Sequence, residues 1–166
     1  HWIHAVSTPR PVKWHKHSWS YQPANKSNKK YKIAVLDFGV KQSILNKLND
    51  LECDITRYPH DTKAQTLIEA RPDGILLSNG PGDPRELPEI VNEVKQLIDA
   101  NIPILGICLG IQLLALAFGA QCYKLKFGQH GANHPVAKII TANGTEQSSA
   151  KQAVHITLQN HNYAVD

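Results

Sequence analysis

Methionine is absent from the 166 residues of this chain, aromatic residues make up only 7%, and cysteine occurs three times. Cys53, Cys108 and Cys122 form no CxxC pair. An odd number also leaves one thiol over if two were bridged. We therefore expect a reducing compartment, cytoplasmic or the stroma or matrix of an organelle, rather than a secreted disulfide scaffold.

Long apolar runs are missing as well. The longest, Ile111 to Ala120, contains Gln112 and has about half of the roughly 20 residues that a membrane-spanning helix needs. No signal-peptide pattern opens the chain, so we expect a soluble protein with no membrane partner. The chain begins without methionine and ends at Asp166 directly after a strand-like run. We therefore expect a piece of a longer polypeptide.

The formal net charge of +4 is unevenly distributed. Residues 1–30 carry six Lys or Arg and no acid, whereas residues 31–166 carry 12 basic and 14 acidic residues. Because the body is nearly neutral, it offers no face that would neutralise phosphates, and we expect no nucleic-acid partner. The first 30 residues show neither helical nor strand periodicity, which predicts a linker or the end of a preceding domain.

From residue 31 onward, apolar strands alternate with amphipathic helices. Strand patterns cover 32–38, 53–59, 73–80 and 102–107, and helical patterns cover 40–52, 64–70, 87–100 and 109–120. This alternation predicts an α/β fold, doubly wound, with a mostly parallel sheet and helices on both faces.

The helical signal ends at Ala120. Short strands are predicted at 121–128, 135–144 and 153–161, with a polar loop at 142–152.

Cys108 lies where the fourth of these strands passes into a helix, between Gly106 and Gly110. The spacing G-x-C-x-G is the thiol counterpart of the G-x-S-x-G nucleophile elbow, in which glycines permit a sharp turn that exposes the nucleophile. The helix N-terminus favours thiolate over thiol. A buried structural cysteine is the alternative, but it leaves the two glycines unexplained.

A second glycine-rich turn, "SNGPGDP" at residues 78–84, ends the third strand. Alone it is an ordinary turn sequence. Next to a strand-end cysteine, the N–H groups of Gly80 and Leu109 become candidates for an oxyanion hole, because glycine permits close backbone approach.

The segments "LSNGPGDP", "GICLGIQLLALAFGA", "KFGQHGANHPV" and "QNHNYAVD" together resemble the class I glutamine amidotransferase family. The last two resemble the branch that forms the small, glutamine-hydrolysing subunit of carbamoyl phosphate synthetases. The resemblance covers nearly all of residues 31–166 and implies a flavodoxin-like amidotransferase domain, incomplete at its C-terminus.

The resemblance implies that Cys108 attacks the side-chain amide of glutamine to form a thioester and release ammonia, with Gly80 and Leu109 as oxyanion donors. It also implies a glutamine pocket formed by a further set of residues: Gly82, Gln112, Asn160, Asn162 and Tyr163. The ammonia would pass to a large synthetase subunit. No cofactor is expected in this domain, since ATP and Mg²⁺ would bind to that subunit.

Each pocket residue has a purely structural alternative. Gln112 could satisfy helix backbone, Asn160 and Asn162 could cap a turn, and Tyr163 could belong to the core. His130 and His134 are four residues apart, but the neighbouring glycines predict a loop and no third ligand is evident, so we expect no metal site.

The sequence departs from the family pattern at Ile111, where the family has His, and at Ala132 and Asn162, where it has Gly. The resemblance further places the catalytic His-x-Glu segment beyond residue 166, and His161 matches a pocket position rather than the base. We therefore expect this piece alone to be nearly inactive.

Two alternative functions stay open. One is another class I amidotransferase, serving guanylate or anthranilate synthesis. The other is a non-catalytic domain that binds and regulates a synthetase. Whether the product serves pyrimidine or arginine synthesis is not decided by the sequence.

Overall fold

The computed structural model describes residues 2–22, 31–137 and 154–166. The chain divides into two compact units. We call them the sheet unit, residues 1–123 with 165–166, and the ribbon, residues 124–164.

Strands and helices alternate along the sheet unit, as the periodicities predict. In chain order its elements are α1 (Ile3–Val6), β1 (Val12–Trp14), β2 (Tyr31–Asp37), α2 (Gln42–Asp50), β3 (Cys53–Pro59), α3 (Ala64–Glu69), β4 (Gly74–Leu77), a 3-10 turn (Pro84–Glu86), α4 (Pro88–Asp99), β5 (Ile104–Gly106) and α5 (Leu109–Ala117).

The sheet has the strand order β1-β3-β2-β4-β5. Strands β3, β2, β4 and β5 are parallel, whereas β1 runs antiparallel to β3 at one edge. Because β4 and β5 are neighbours, with Leu77 opposite Gly106, the turn after β4 and the start of α5 emerge at the same edge of the sheet. This edge is where doubly wound folds place their reaction centres.

Two apolar clusters cover opposite faces of the sheet. Ala34, Leu36, Ile75 and Leu77 pack with α3, α4 and α5, whereas the alternate strand residues, such as Val35 and Leu76, pack with Leu45 of α2. Successive side chains of a strand point to opposite faces, which explains this division. The prediction of a doubly wound α/β fold with a mostly parallel sheet is confirmed.

Two short elements within the first 30 residues, α1 and β1, pack on the sheet unit. Ile3 of α1 is fully buried in the sheet unit, and β1 pairs with β3 through three residues. Trp14 is 8% exposed, and its indole N–H donates to Asn46 Oδ1 at 3.0 Å. A free linker therefore does not describe α1 and β1, and the assignment of residues 1–30 to the end of a preceding domain stays a prediction. The pattern of β1 was not recognisable because a strand of three residues is too short to be identified without its partner.

In its described residues, the ribbon has two long strands, β6 (Cys122–Ala137) and β7 (Val154–Val165), which pair with each other. The prediction of a loop around His130 and His134 is wrong, because both residues lie inside β6. The strand predicted at 135–144 is described only up to residue 137, and the polar loop predicted at 142–152 lies outside the described residues.

Candidate active site

Cys108 forms the junction between β5 and α5. Its backbone has φ 53° and ψ −108°, a conformation outside the left-handed helical region and unfavourable for a residue with a Cβ. The other non-glycine residues with positive φ, Glu52, Arg71 and Asn101, each follow the C-cap of a helix, where such φ values are common. Cys108 is the exception, since it precedes a helix, and this geometry is typical of a nucleophile elbow.

The glycines on either side of Cys108 are required by close packing. A Cβ on Gly106 would lie 2.6 Å from the backbone nitrogen of Ile111, and a Cβ on Gly110 would overlap the carbonyl oxygen of Leu77 and lie 2.6 Å from its carbon. No larger residue fits at either position without a backbone shift. The G-x-C-x-G spacing is therefore a property of the turn itself, and the cysteine at its apex is half-buried rather than packed into the core.

The predicted oxyanion donors lie next to each other. A Cβ on Gly80 would be 2.9 Å from Cδ2 of Leu109 and 2.5 Å from the carbonyl oxygen of Phe38. Within the described residues, the N–H of neither Gly80 nor Leu109 donates a hydrogen bond to a protein atom. Backbone donors of this kind can stabilise a negative charge that develops on a substrate oxygen.

Ser78 links the turn after β4 to the start of α5. Its carbonyl oxygen accepts from the N–H of Gly110 at 3.1 Å, and its fully buried hydroxyl accepts from the N–H of Phe38 at 2.9 Å. The turn that contains Gly80 is thus tied to both neighbouring strand ends.

Two further predicted residues of this unit, Gln112 and Gly82, differ in exposure. Gln112 is 8% exposed, and its N–H donates to the carbonyl oxygen of Cys108 at 3.2 Å. Gly82 is exposed and has φ +102°, and the following Asp83 accepts from the N–H of Arg85 at 2.9 Å to cap the 3-10 turn. Ile111, the departure from the family pattern, is 50% exposed on α5.

The remaining predicted residues lie on β7 of the ribbon. The two ring nitrogens of His130 are 2.9 Å and 3.1 Å from the amide oxygens of Asn160 and Asn162. Both asparagines lie within a strand, so the turn-capping alternative is wrong. Tyr163 is half-buried, which does not fit the core alternative. His161 contacts the carbonyl oxygen of Tyr163 at 2.9 Å, in keeping with a structural rather than a basic role.

A buried carboxylate at the end of β2, that of Asp37, was not predicted from the sequence. Asp37 is fully buried and forms an ion pair of 2.6 Å with Arg57. An acid that closes an otherwise apolar strand is the signal that could have identified it. His60 was not singled out from the sequence either. Both of its ring nitrogens are buried without a hydrogen-bond partner among the described residues, its ring contacts that of His4 edge-on, and burial lowers its pKa.

Neither a metal centre nor a membrane segment can be built from the described residues. Among them, no three His, Cys, Asp or Glu side chains are grouped to hold a metal ion. In the same part of the chain, no helix combines the length and the apolarity that crossing a bilayer requires.

Comparisons with known proteins agree with this geometry. The chain is 46% identical to the carbamoyl phosphate synthase small chain of Helicobacter acinonychis over 172 aligned residues, which cover 98% of this chain and 43% of that protein. It is 43% identical to the chloroplastic small chain of Arabidopsis thaliana, covering 99% of this chain and 36% of that one. The chain thus spans less than half the length of these relatives.

Solved structures share the fold. One from Thermoplasma acidophilum, assigned to GMP synthase, has a TM-score of 0.60 and 29% identity over 81% of this chain and 66% of its own. A glutamine amidotransferase from Thermotoga maritima has a TM-score of 0.55 at 17% identity, covering 81% and 61% of the two chains. The family model described as glutamine amidotransferase class-I matches residues 34–166. The chain therefore belongs to the class I glutamine amidotransferase family.

Proposed function

We propose that this chain is the glutamine-hydrolysing part of a carbamoyl phosphate synthase small chain. The observation that carries the proposal is the backbone of Cys108, held at φ 53° and ψ −108° between two glycines that admit no side chain. A strained, partly exposed cysteine at a strand-to-helix junction is typical of a nucleophile at such a turn, and this supports the proposal.

In the proposed reaction, the thiolate of Cys108 attacks the side-chain carbonyl carbon of glutamine. The N–H groups of Gly80 and Leu109 stabilise the resulting oxyanion. Collapse of this tetrahedral intermediate breaks the C–N bond and releases ammonia, which leaves a glutamyl thioester. Water then attacks the thioester to give glutamate and the free thiol. We assign the general base that moves these protons to none of the described residues.

For substrate binding, we propose Gln112 and the backbone of Gly82 as contacts in the sheet unit. Asn160, Asn162 and Tyr163 of the ribbon stay predictions from the family resemblance. Their support is the contact of His130 with both asparagines, which orders two of the three side chains.

The proposed partner is a large synthetase subunit that consumes the ammonia with ATP and bicarbonate. Identities of 46% and 43% to carbamoyl phosphate synthase small chains favour this acceptor over guanylate synthesis, since the relative assigned to GMP synthase is 29% identical. We propose a reducing location, cytoplasmic or in an organelle, on the basis of the cysteine pattern.

The nucleophile is tested by labelling the full-length protein with a diazo-ketone analogue of glutamine and mapping the modified peptides by mass spectrometry. We expect label on Cys108 and none on the Cys108→Ser variant. Cys122 is an internal control, because burial and the nearby Asp83 carboxylate raise the pKa of its thiol and so lower its thiolate fraction.

A folded protein whose Cys108 stays unlabelled would instead support the non-catalytic, binding role, which the exposed Ile111 leaves open. The acceptor is tested separately. Adding the large subunit, ATP and bicarbonate should convert glutamine nitrogen into carbamoyl phosphate, and free ammonia without carbamoyl phosphate would favour another amidotransferase.

A further inference from the structure

Asp37, at the carboxyl end of β2, has an unusually complete set of hydrogen-bond donors. Oδ1 accepts from the N–H groups of Gly39 and Val40 at 2.9 Å and 2.8 Å. Oδ2 accepts from the N–H of Thr8 at 3.0 Å and from Nη2 of Arg57 at 2.6 Å. One fully buried carboxylate therefore joins three separate parts of the sheet unit: the N-terminal segment, strand β3 and the loop after β2.

A buried charge of this kind contributes little to stability on balance. Removing a carboxylate and a guanidinium from water costs several kcal/mol per ion, and the contacts that they make offset that loss without a large surplus. Apolar residues of similar volume would hold β2 and β3 together as well. Two of the four donors, the N–H groups of Gly39 and Val40, belong to the loop that follows Asp37, so the carboxylate fixes the direction of this loop.

This loop, residues 38–41, is bonded to the turn that contains the oxyanion donor Gly80. The N–H of Lys41 donates to Oδ1 of Asn79 at 3.2 Å, and Nδ2 of Asn79 donates back to the carbonyl oxygen of Gly39 at 3.0 Å. The N–H of Phe38 donates to Oγ of Ser78 at 2.9 Å. Three hydrogen bonds thus connect loop 38–41 to Ser78 and Asn79, the two residues that precede Gly80.

Gly80 itself lies directly against this loop. A Cβ on Gly80 would be 2.5 Å from the carbonyl oxygen of Phe38 and 2.6 Å from its Cβ, so the two backbones are in contact with no side chain between them. A displacement of Phe38 would therefore displace Gly80. On the other side of the loop, Gly39 packs against Val6 and Pro81, since a Cβ on Gly39 would lie 2.8 Å and 3.5 Å from them.

We propose that Asp37 is a positioning residue for the oxyanion hole: its carboxylate holds loop 38–41, and the loop holds the N–H of Gly80 at the place where the substrate oxygen becomes negative. Through Thr8, the same carboxylate connects the N-terminal segment to the reaction centre. This inference rests on the proposed glutaminase function.

The first test is the Asp37→Asn variant in the full-length protein with its synthetase partner. The variant keeps one oxygen acceptor and loses the charge that holds Arg57. A misplaced oxyanion donor reduces the stabilisation of the transition state and leaves substrate binding unchanged. The kcat for glutamine hydrolysis should therefore fall about 10- to 100-fold, and KM should stay within about twofold of the wild-type value.

Asp54→Asn is the matched control. Asp54 is an acid on β3, and its carboxylate pairs with Lys13 of β1 at 2.7 Å, so this variant also removes a carboxylate from an ion pair in the same sheet. Because that ion pair joins β3 to β1 rather than to loop 38–41, kcat should stay within about twofold of the wild-type value.

Arg57→Lys provides a milder second variant in case Asp37→Asn does not fold. It retains the charge but not the planar guanidinium, and we expect a fall in kcat of about threefold to tenfold with KM unchanged.

Amide hydrogen exchange tests the inference independently of activity. In Asp37→Asn, or in Arg57→Lys if that variant alone folds, the amides of residues 78–82 should exchange at least about fivefold faster than in the wild type, and in Asp54→Asn they should not. A folded Asp37 variant with unchanged kcat and unchanged exchange in this turn would overturn the inference. If the wild-type protein hydrolyses no glutamine, the proposed function fails, and the exchange result still decides whether Asp37 positions the turn.

Discussion

The sheet unit and the ribbon hold their candidate site residues by different physical means. In the sheet unit, Leu36, Leu77 and Leu113 are fully buried, and the glycines around Cys108 are in contact with backbone. In the described part of the ribbon no residue is buried, and Phe127 and Leu158 are 75% and 68% exposed. Packing therefore determines the position of Cys108, the proposed nucleophile, whereas the ribbon residues depend on strand pairing and on side-chain hydrogen bonds.

Truncating one leucine in each unit should give the largest difference. Leu77→Ala removes a fully buried side chain from the core and should lower the free energy of unfolding by about 3 kcal/mol. Leu158→Ala, at an exposed position of β7, should change it by less than about 0.5 kcal/mol. Urea denaturation followed by tryptophan fluorescence measures the sheet unit, where Trp14 is buried, and circular dichroism in the far ultraviolet also measures the strands of the ribbon. Similar losses in the two variants would contradict the difference in packing.

Adding a methyl group to one glycine in each unit should give a smaller difference. In Gly110→Ala the new Cβ meets the backbone carbonyl of Leu77, which cannot move without the strand, so we expect a loss of about 2 kcal/mol and slower labelling of Cys108. In Gly128→Ala it meets the ends of the Asn162 and His130 side chains, which can rotate away.

Thermal unfolding and the rate of analogue labelling check this pair of variants. Equal losses of thermal stability in Gly128→Ala and Gly110→Ala would show that the ribbon is packed as tightly as the turn around Cys108.

A histidine substitution tests whether the side-chain hydrogen bonds of the ribbon contribute to glutamine binding. His130→Ala removes the ring that contacts Asn160 and Asn162. If these asparagines bind glutamine, the loss of the hydrogen bonds that order them should weaken binding by about 1 kcal/mol. KM should then rise about fivefold, and kcat should stay within about twofold of the wild-type value. His134→Ala on the same strand is the control. Steady-state kinetics of the full-length protein measures both, and an unchanged KM would remove the support for the two asparagines.

The smallest expected effect concerns pH and is confined to the sheet unit. The N–H of Ala64 and the ammonium of Lys63 donate to Glu93 and lower its pKa below 4.5. Because the native pKa is the lower one, this contribution is complete above about pH 4.5 and is lost as the pH falls through the native value. It should amount to less than about 1 kcal/mol.

Glu93→Gln should therefore flatten the decline of unfolding free energy with acid below about pH 4.5, as measured by urea titrations at several pH values. The described part of the ribbon contains no Asp or Glu. Protonation of carboxylates should therefore not weaken the pairing of its strands. If the unfolding free energy of Glu93→Gln declined with acid as steeply as that of the wild type, Glu93 would not be the source of this pH dependence.

Local sequence patterns predicted the elements whose own residues determine them. The apolar strands β2 to β5 and the amphipathic helices α2 and α4 were identifiable, because burial on one face or on two imposes a periodicity. Cys108 was identifiable for a similar reason, since a sharp strand-to-helix turn requires glycines at fixed positions in the chain.

Features that depend on distant partners were not predictable. β1 is a strand only because β3 pairs with it. β6 includes Gly128 and Gly131, and it forms a two-stranded sheet with β7. The donors around Asp37 come from positions up to 29 residues away in the chain, and no periodicity marks such a set. Pairing between distant segments overrode the local signals in each case.

The backbone strain at residue 108 has a consequence for the evolution of the family. The unfavourable torsion angles belong to the position rather than to the sulfur atom, so any reactive side chain placed there would be subject to the same conformational penalty, and only glycine would escape it. Selection for stability alone would then favour glycine at this position. A lineage that has no use for a reactive side chain at this position would therefore gain stability by replacing it with glycine.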